Sequence, residues 1–250
     1  MTASSREMLG TPTSGELVDD LVTANHILFD QGIVDAFGHV SVRQGERPNR
    51  FLLSRNMAPG QVTAGDILEF DLDGEPVGKN AGRVYLERFI HSEIYRAYPG
   101  VHAVVHSHST ALLPFGVVKG LPLRAMFHMA GFIGQSVPVF EIRDVVGEAS
   151  DLLVRDRSIG AALARHLGDS QIILMRGHGS TVVGTSLRQV VYRAVYAEVN
   201  ARCQAASMQL GPVTYLTAEE CVACATTHEA QAQRPWDLWK EQARSRRRGA

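Results

Sequence analysis

The chain has 250 residues, 45% of them hydrophobic, and its 26 acidic and 25 basic side chains leave a net charge of −1. That is ample apolar material for a core, and a near-neutral chain sets up no field that would draw in nucleic acid. The apolar runs are far too short to cross a bilayer and no charged-then-apolar leader opens the sequence, so the expectation is a cytoplasmic protein with no membrane partner.

Residues 1–13 are small and polar and read as a flexible N-terminal arm, with 14–250 as a single domain. Ser14 can cap a helix reaching about Gln31, with Leu17, Leu21, Leu28 and Phe29 as its apolar stripe and Gly32 as its stop. Short strands are predicted over 39–43, 50–54 and 67–71, the last ending in the turn Asp71-Leu-Asp-Gly74. A helix follows over 84–97, stopped by Pro99-Gly100, then a strand over 103–108, a helix near Thr110 and a strand over 137–140. A helix over 158–167 leads to the strand Gln171-Ile-Ile-Leu-Met175. The longest helix, 186–210, opens on the capping box Ser186-Leu-Arg-Gln189. Helices interleaved with strands give an α/β/α layering, and the early strands, joined only by turns, should pair antiparallel.

Two histidines stand out in the strand Ala103-Val-Val-His-Ser-His108, because alternate residues of a strand share a face and can meet one ion. HxH alone is a weak signal. His178, between two glycines in Met175-Arg-Gly-His-Gly-Ser180, offers a third imidazole at the end of a buried-looking strand. Three histidines with open positions describe a catalytic metal centre rather than a closed structural one. Glu87 and His91 are four apart on the predicted helix and so share a face, where Glu87 could move a proton beside a dication and His91 could orient it or pack beneath it.

Taken together, these motifs resemble the class II aldolase/adducin family: a glutamate on a helix, an HxH on the next strand, and a later glycine-flanked histidine. Gly38-His-Val-Ser-Val-Arg43 is similar to the family's GN-hydrophobic-SxR strand, and the resemblance runs from about residue 15 to 210. It implies a three-layer α/β/α class II aldolase-like fold with a largely antiparallel, mixed sheet. It also implies one divalent ion per subunit on His106, His108 and His178, and a homotetramer with active sites between subunits. Zn2+ suits three imidazoles, and Mn2+ suits a site completed by oxygen ligands.

Where the family's sugar-phosphate aldolases hold phosphate with small donors, this chain has His39, Ser54-Arg55 and Tyr85-Leu86. Arg55 offers a fork for a carboxylate and Tyr85 an aromatic wall. Leu86-Glu-Arg-Phe-Ile-His91 and Phe127-His-Met-Ala-Gly-Phe132 are similar to the branch that decarboxylates hydroxylated aromatic dicarboxylates. That resemblance implies substrate contacts at Arg55, Ser54, His39, Tyr85 and His91, with Glu87 or His128 delivering the proton. The implied reaction is non-oxidative decarboxylation of a benzene or pyridine dicarboxylate whose ortho hydroxyl and departing carboxylate chelate the ion. A retro-aldolase for a non-phosphorylated hydroxy or keto acid is the alternative, and an adducin-like binding module without chemistry is the second.

Cys221 and Cys224 lie one turn apart after the capping box Thr217-Ala-Glu-Glu220 and read as packing residues, since no second pair exists. Arg244-Ser-Arg-Arg-Arg248 reads as a frayed, solvated end. Tyr215, His228, Trp236 and Trp239, beyond what the core requires, favour a subunit contact over a fold back onto the same chain.

Overall fold

Successive residues of the strands belong to different hydrophobic clusters, and this puts helices on both sides of one sheet. In β4 (Ala103–Ser107), Ala103 and Val105 join one cluster while Val104 joins the other. The computed structural model describes residues 14–78 and 82–248, so the arm expected over 1–13 lies outside the described residues.

The chain opens with α1 (Ser14–Asp30), then β1 (His39–Arg43), β2 (Arg50–Ser54) and β3 (Ile67–Asp71), which pair antiparallel as expected. α2 (Arg88–Ala97) precedes β4, and α3 (Leu113–Val117), β5 (Val139–Phe140), α4 (Arg143–Val146) and α5 (Arg157–Leu167) follow it. Then come β6 (Ile172–Met175), β7 (Gly179–Gly184), α6 (Leu187–Leu210), α7 (Ala218–Glu229) and α8 (Gln233–Arg248). The sheet order is β3-β2-β1-β4-β7-β6-β5, antiparallel throughout except for the parallel β5–β6 pair. On one side α1, α6 and α8 bury Leu21, Ile27, Val190, Val191 and Trp236; on the other, α2 and α5 bury Ile90, Ile94 and Leu163. This is the three-layer α/β/α arrangement.

Four expectations need correction. β7 was not foreseen: no strand was expected between His178 and the helix at 186, yet Gly179-Ser-Thr-Val-Val-Gly184 is wholly buried and pairs with both β4 and β6. Its small and β-branched residues suit a central strand. Gly179 is needed there, because a Cβ would lie 2.1 Å from the Ser107 carbonyl oxygen. The helix expected over 84–97 begins at Arg88, which leaves Glu87 at its N-cap rather than within it.

The basic tail is not frayed: it is the last turn of α8, where Arg247 donates to Asp30 at 3.2 Å. The tryptophans fold back on their own subunit. Trp236 and Trp239 are 1% and 9% exposed within the α1/α6 cluster, so they lend no support to a subunit contact. Cys221 is buried on α7, and all three cysteines are free.

Candidate metal centre

Four side chains from three parts of the chain converge on the α2 side of the sheet. His106 shares the face of Val104 and is fully buried. His108 stands just past the end of β4, and His178 sits in the hairpin turn between β6 and β7, where Gly177 takes a φ of +68°. The His106 and His108 Nε2 atoms are 3.1 Å apart, as are those of His108 and His178. Glu87 Oε2 lies 3.5 Å from His106 Nε2 and 3.4 Å from His178 Nε2. All four ligand atoms fall within 4.8 Å of one another.

The donor chemistry fits a divalent ion. The carbonyl of Leu152 accepts from His178 Nδ1 at 2.9 Å, which puts the proton on Nδ1 and a lone pair on Nε2. Thr181 directs its hydroxyl hydrogen to the Met175 sulfur, leaving its oxygen 3.4 Å from His106 Nδ1 to accept there. His106 therefore also turns a lone pair inward. Lone pairs converging at such distances need a cation between them. A tetrahedron of ligands about 2.1 Å from zinc has edges of about 3.4 Å, close to the spacings found.

Electrostatics agree with this. Burial pushes the pKa of His106 well below its ordinary value and lowers that of His108, with His178 adding to the effect on His108, so both stay neutral. Burial alone would raise the Glu87 pKa. His106, His178 and the Val154 amide outweigh it and hold the carboxyl below the usual range, ionised.

One short segment supports two of the four groups. Val154 N–H donates to Glu87 Oε1 at 3.0 Å, two residues beyond the Leu152 carbonyl that orients His178. Leu152 has a φ of +68°, the only non-glycine positive value among the described residues, and such backbone persists only where its surroundings dictate it.

The other predicted site residues fall into three groups. His39 sits directly opposite His106 across the β1–β4 pair, its ring centroid 5.0 Å from that of His106 and 4.6 Å from Tyr85. Gly38, at φ +93°, has no room for a side chain against Val34 and the His106 carbonyl, which holds this strand start close. His91 makes no hydrogen bond to Glu87; it hydrogen-bonds to His39 and Ser41 instead. Tyr85 donates to the Met57 carbonyl at 2.6 Å and is 3.3 Å from Ser54 Oγ, so Ser54, fully buried, braces the wall from behind.

Arg55 and His128 are not gathered into the cluster. Arg55 Nε donates to Asp66 at 2.7 Å with its side chain 47% exposed, so the fork expected for a substrate is already half engaged in an ion pair. His128 is exposed, its ring 4.5 Å from His228 of α7. Within one chain its ring contacts are Phe127 and His228, not the cluster.

Sequence reading did not place Glu87 among the atoms that could hold an ion, and it missed Thr181, the Leu152 carbonyl and Phe37 beside the cluster. Phe37, 67% exposed, holds its ring 6.3 Å from that of His108. An exposed phenylalanine one residue before the glycine of Gly38-His39 is the one signal that could have been read.

Comparison with known proteins agrees with the geometry. Residues 19–205 match the model of the class II aldolase and adducin N-terminal domain. Decarboxylase tropJ of Talaromyces stipitatus is 39% identical over 245 residues, covering 89% of this chain and 92% of that protein. The 3,4-dihydroxyphthalate decarboxylase of Arthrobacter keyseri is 31% identical over 190 residues, covering 70% and 72%. Among solved structures, an aldolase II superfamily protein from Pseudomonas syringae superposes with a TM-score of 0.76 at 20% identity, covering 94% of each chain. L-fuculose 1-phosphate aldolase from Glaciozyma antarctica superposes with a TM-score of 0.73 at 23% identity, covering 91% of this chain and 89% of that one. The chain belongs to the class II aldolase and adducin family and is a carbon–carbon lyase. Within the family it stands with the decarboxylases rather than the sugar-phosphate aldolases.

Proposed function

We propose that the protein is a metal-dependent, non-oxidative decarboxylase of a hydroxylated aromatic dicarboxylate. The observation that carries this reading is the convergence of three imidazole nitrogens and the Glu87 carboxylate at 3.1–3.5 Å, in a chain whose relatives include 3,4-dihydroxyphthalate decarboxylases. Held there, a divalent ion, Zn2+ or Mn2+, supplies a Lewis acid and a template for an ortho hydroxyl and the departing carboxylate.

The protein's own groups do the rest. Glu87, ionised at the edge of the cluster, takes the proton of the ring hydroxyl as the substrate seats. When the bond to the carboxylate breaks, its electron pair stays on the ring carbon and CO2 leaves. Glu87 then returns the proton to that carbon, closing the balance of one carboxylate and one proton to one C–H bond and CO2. Tyr85 and Phe37 are suited to flank the ring, and the Arg55 edge not bound to Asp66 can meet the second carboxylate.

His128 could deliver the proton only if a neighbouring subunit brought it to the cluster, which the homotetramer expected for this family would allow. The retro-aldol alternative has the fold likeness to L-fuculose 1-phosphate aldolase in its favour, and at 23% identity that likeness speaks for the fold alone. Incubation of the metal-loaded protein with 3,4-dihydroxyphthalate, with CO2 measured, is the test. Release of CO2 with formation of the monocarboxylate is the expected result. An aldehyde product from hydroxy acids, without CO2 from any aromatic dicarboxylate, would decide for the retro-aldolase.

A further inference from the structure

Beneath the four-residue cluster lies a second polar array with no part in holding the ion. His39 Nδ1 is 2.6 Å from His91 Nε2, His91 Nδ1 is 2.6 Å from Ser41 Oγ, and Ser41 Oγ is 2.7 Å from Tyr95 Oη. His91 and Ser41 are fully buried and Tyr95 is 1% exposed. Both rings are buried, and two imidazole nitrogens 2.6 Å apart can hold only one proton between them.

A proton count gives this chain a direction. A neutral imidazole has one N–H, and each hydroxyl has one O–H. Suppose His39 donated to His91. The only N–H of His91 would then point at Ser41, leaving the two hydroxyls of Ser41 and Tyr95 with a single O···O contact between them. One buried O–H would lack an acceptor, because neither hydroxyl has another acceptor among the described residues. The Val104 amide beside Tyr95 Oη can only donate.

In the opposite sense the protons of Tyr95, Ser41 and His91 are all used, Tyr95 O–H to Ser41, Ser41 O–H to His91 Nδ1 and His91 Nε2–H to His39 Nδ1, and the one left over falls on His39 Nε2, an atom the fold does not enclose. Buried hydrogen-bonding groups are satisfied in folded proteins, so this sense prevails. It puts the His39 proton on Nε2, the one ring nitrogen of the array with no hydrogen-bond partner among the described residues. That ring stands beside His106, across the β1–β4 pair.

We propose that Tyr95 and Ser41 are positioning residues that hold His39 as its Nε2–H tautomer, so that His39 donates a hydrogen bond to an anionic substrate oxygen at the metal centre. The identity of that oxygen, carboxylate or phenolate, rests on the decarboxylase reading; the tautomer does not.

The test uses the zinc-loaded full chain labelled with 15N-histidine, whose long-range proton–nitrogen correlations report each ring's tautomer, with His39 assigned from a His39→Gln sample. The wild type should show His39 protonated on Nε2. Ser41→Ala should turn His39 into a mixture of tautomers. It should also raise the Kd for 2-hydroxybenzoate, measured by calorimetry, about ten-fold, the size of one hydrogen bond to a charged group. Tyr95→Phe should act in the same direction, KM should rise more than kcat falls, and Ser41→Thr should restore both readouts. A wild-type His39 protonated on Nδ1 overturns the relay. A Ser41→Ala variant with mixed tautomers but unchanged 2-hydroxybenzoate affinity overturns the donor role. If 3,4-dihydroxyphthalate yields no CO2, the decarboxylase reading fails by itself, and the tautomer and the 2-hydroxybenzoate affinity still decide this proposal.

Discussion

The two sides of the sheet are built from different chemistry. Against α1, α6 and α8 the strands present Val40, Val42, Ala103 and Val105, which meet Leu, Ile, Val and Trp side chains in a dry core. Against α2, the same strands present His39, Ser41 and His106 on alternate positions, met by Glu87, His91 and Tyr95. The first side gains free energy from area removed from water. The second has to pair its buried nitrogens and oxygens by geometry, since a polar group left unpaired there would cost about 1–3 kcal/mol. One strand can serve both because its side chains alternate. The chemistry is confined to the edge of the α2 side where His108 and His178 leave an opening, and the dry side supplies rigidity.

The comparison can be broken most sharply at the histidines. His106→Ala, His108→Ala or His178→Ala should each remove the ion and abolish turnover while the dry core still folds the chain. Metal content by mass spectrometry should drop from about one ion per chain to near none, with the far-ultraviolet circular dichroism unchanged. A variant that keeps full occupancy does not carry a ligand at that position.

Glu87→Gln should lower kcat by about 10²–10⁴-fold, the usual range for a general acid–base group. Because its carboxylate also stands among the ligand atoms, the ion should be held more weakly as well, as a competition titration with a chelator would show. Near-native turnover would shift the proton transfer to another group.

On the dry side the effects invert. Trp236→Ala, at a 1% exposed position, should cost about 3–5 kcal/mol of stability in urea while leaving metal content per folded chain intact. If it also emptied the site, the two sides would be coupled more tightly than their separate clusters suggest.

A smaller effect is expected from pH. His91 has a folded pKa near 3 against about 6.5 unfolded, so the unfolded chain binds its proton first as pH falls. Stability is therefore complete above pH 6.5 and is lost on acidification towards pH 3, by up to about 1.4 kcal/mol per pH unit for this one ring. His91→Asn in the metal-free protein should flatten the slope between pH 6.5 and 5 by about that amount, as measured by urea unfolding. An unchanged slope would mean that His91 is charged in the fold.

Smallest of all, Arg55→Ala should change stability by less than about 1 kcal/mol, since its ion pair with Asp66 is largely exposed. KM for 3,4-dihydroxyphthalate should rise a few-fold, with 2,3-dihydroxybenzoate unaffected. Equal effects on both would place the guanidinium outside the pocket.

The sequence by itself determined the layered class of the fold, because strand and helix periods alternate along the chain and turns separate β1, β2 and β3. It also brought forward His106, His108, His178 and Glu87, since HxH on a strand and a histidine between glycines are local patterns with direct geometric meaning. What it could not decide depended on packing between distant segments. β7 was passed over because six residues flanked by glycines carry little pattern of their own, and the pairing with β4 and β6 is what makes them a central strand. Glu87 stands among the histidine nitrogens with its other oxygen held by the Val154 amide, 67 residues away. One edge of Arg55 is held by Asp66, and the two tryptophans by their own core, through contacts that no spacing encodes. The relay from Tyr95 to His39 joins α2 to β1 across 56 residues, and only the fold could bring its four groups within hydrogen-bonding distance.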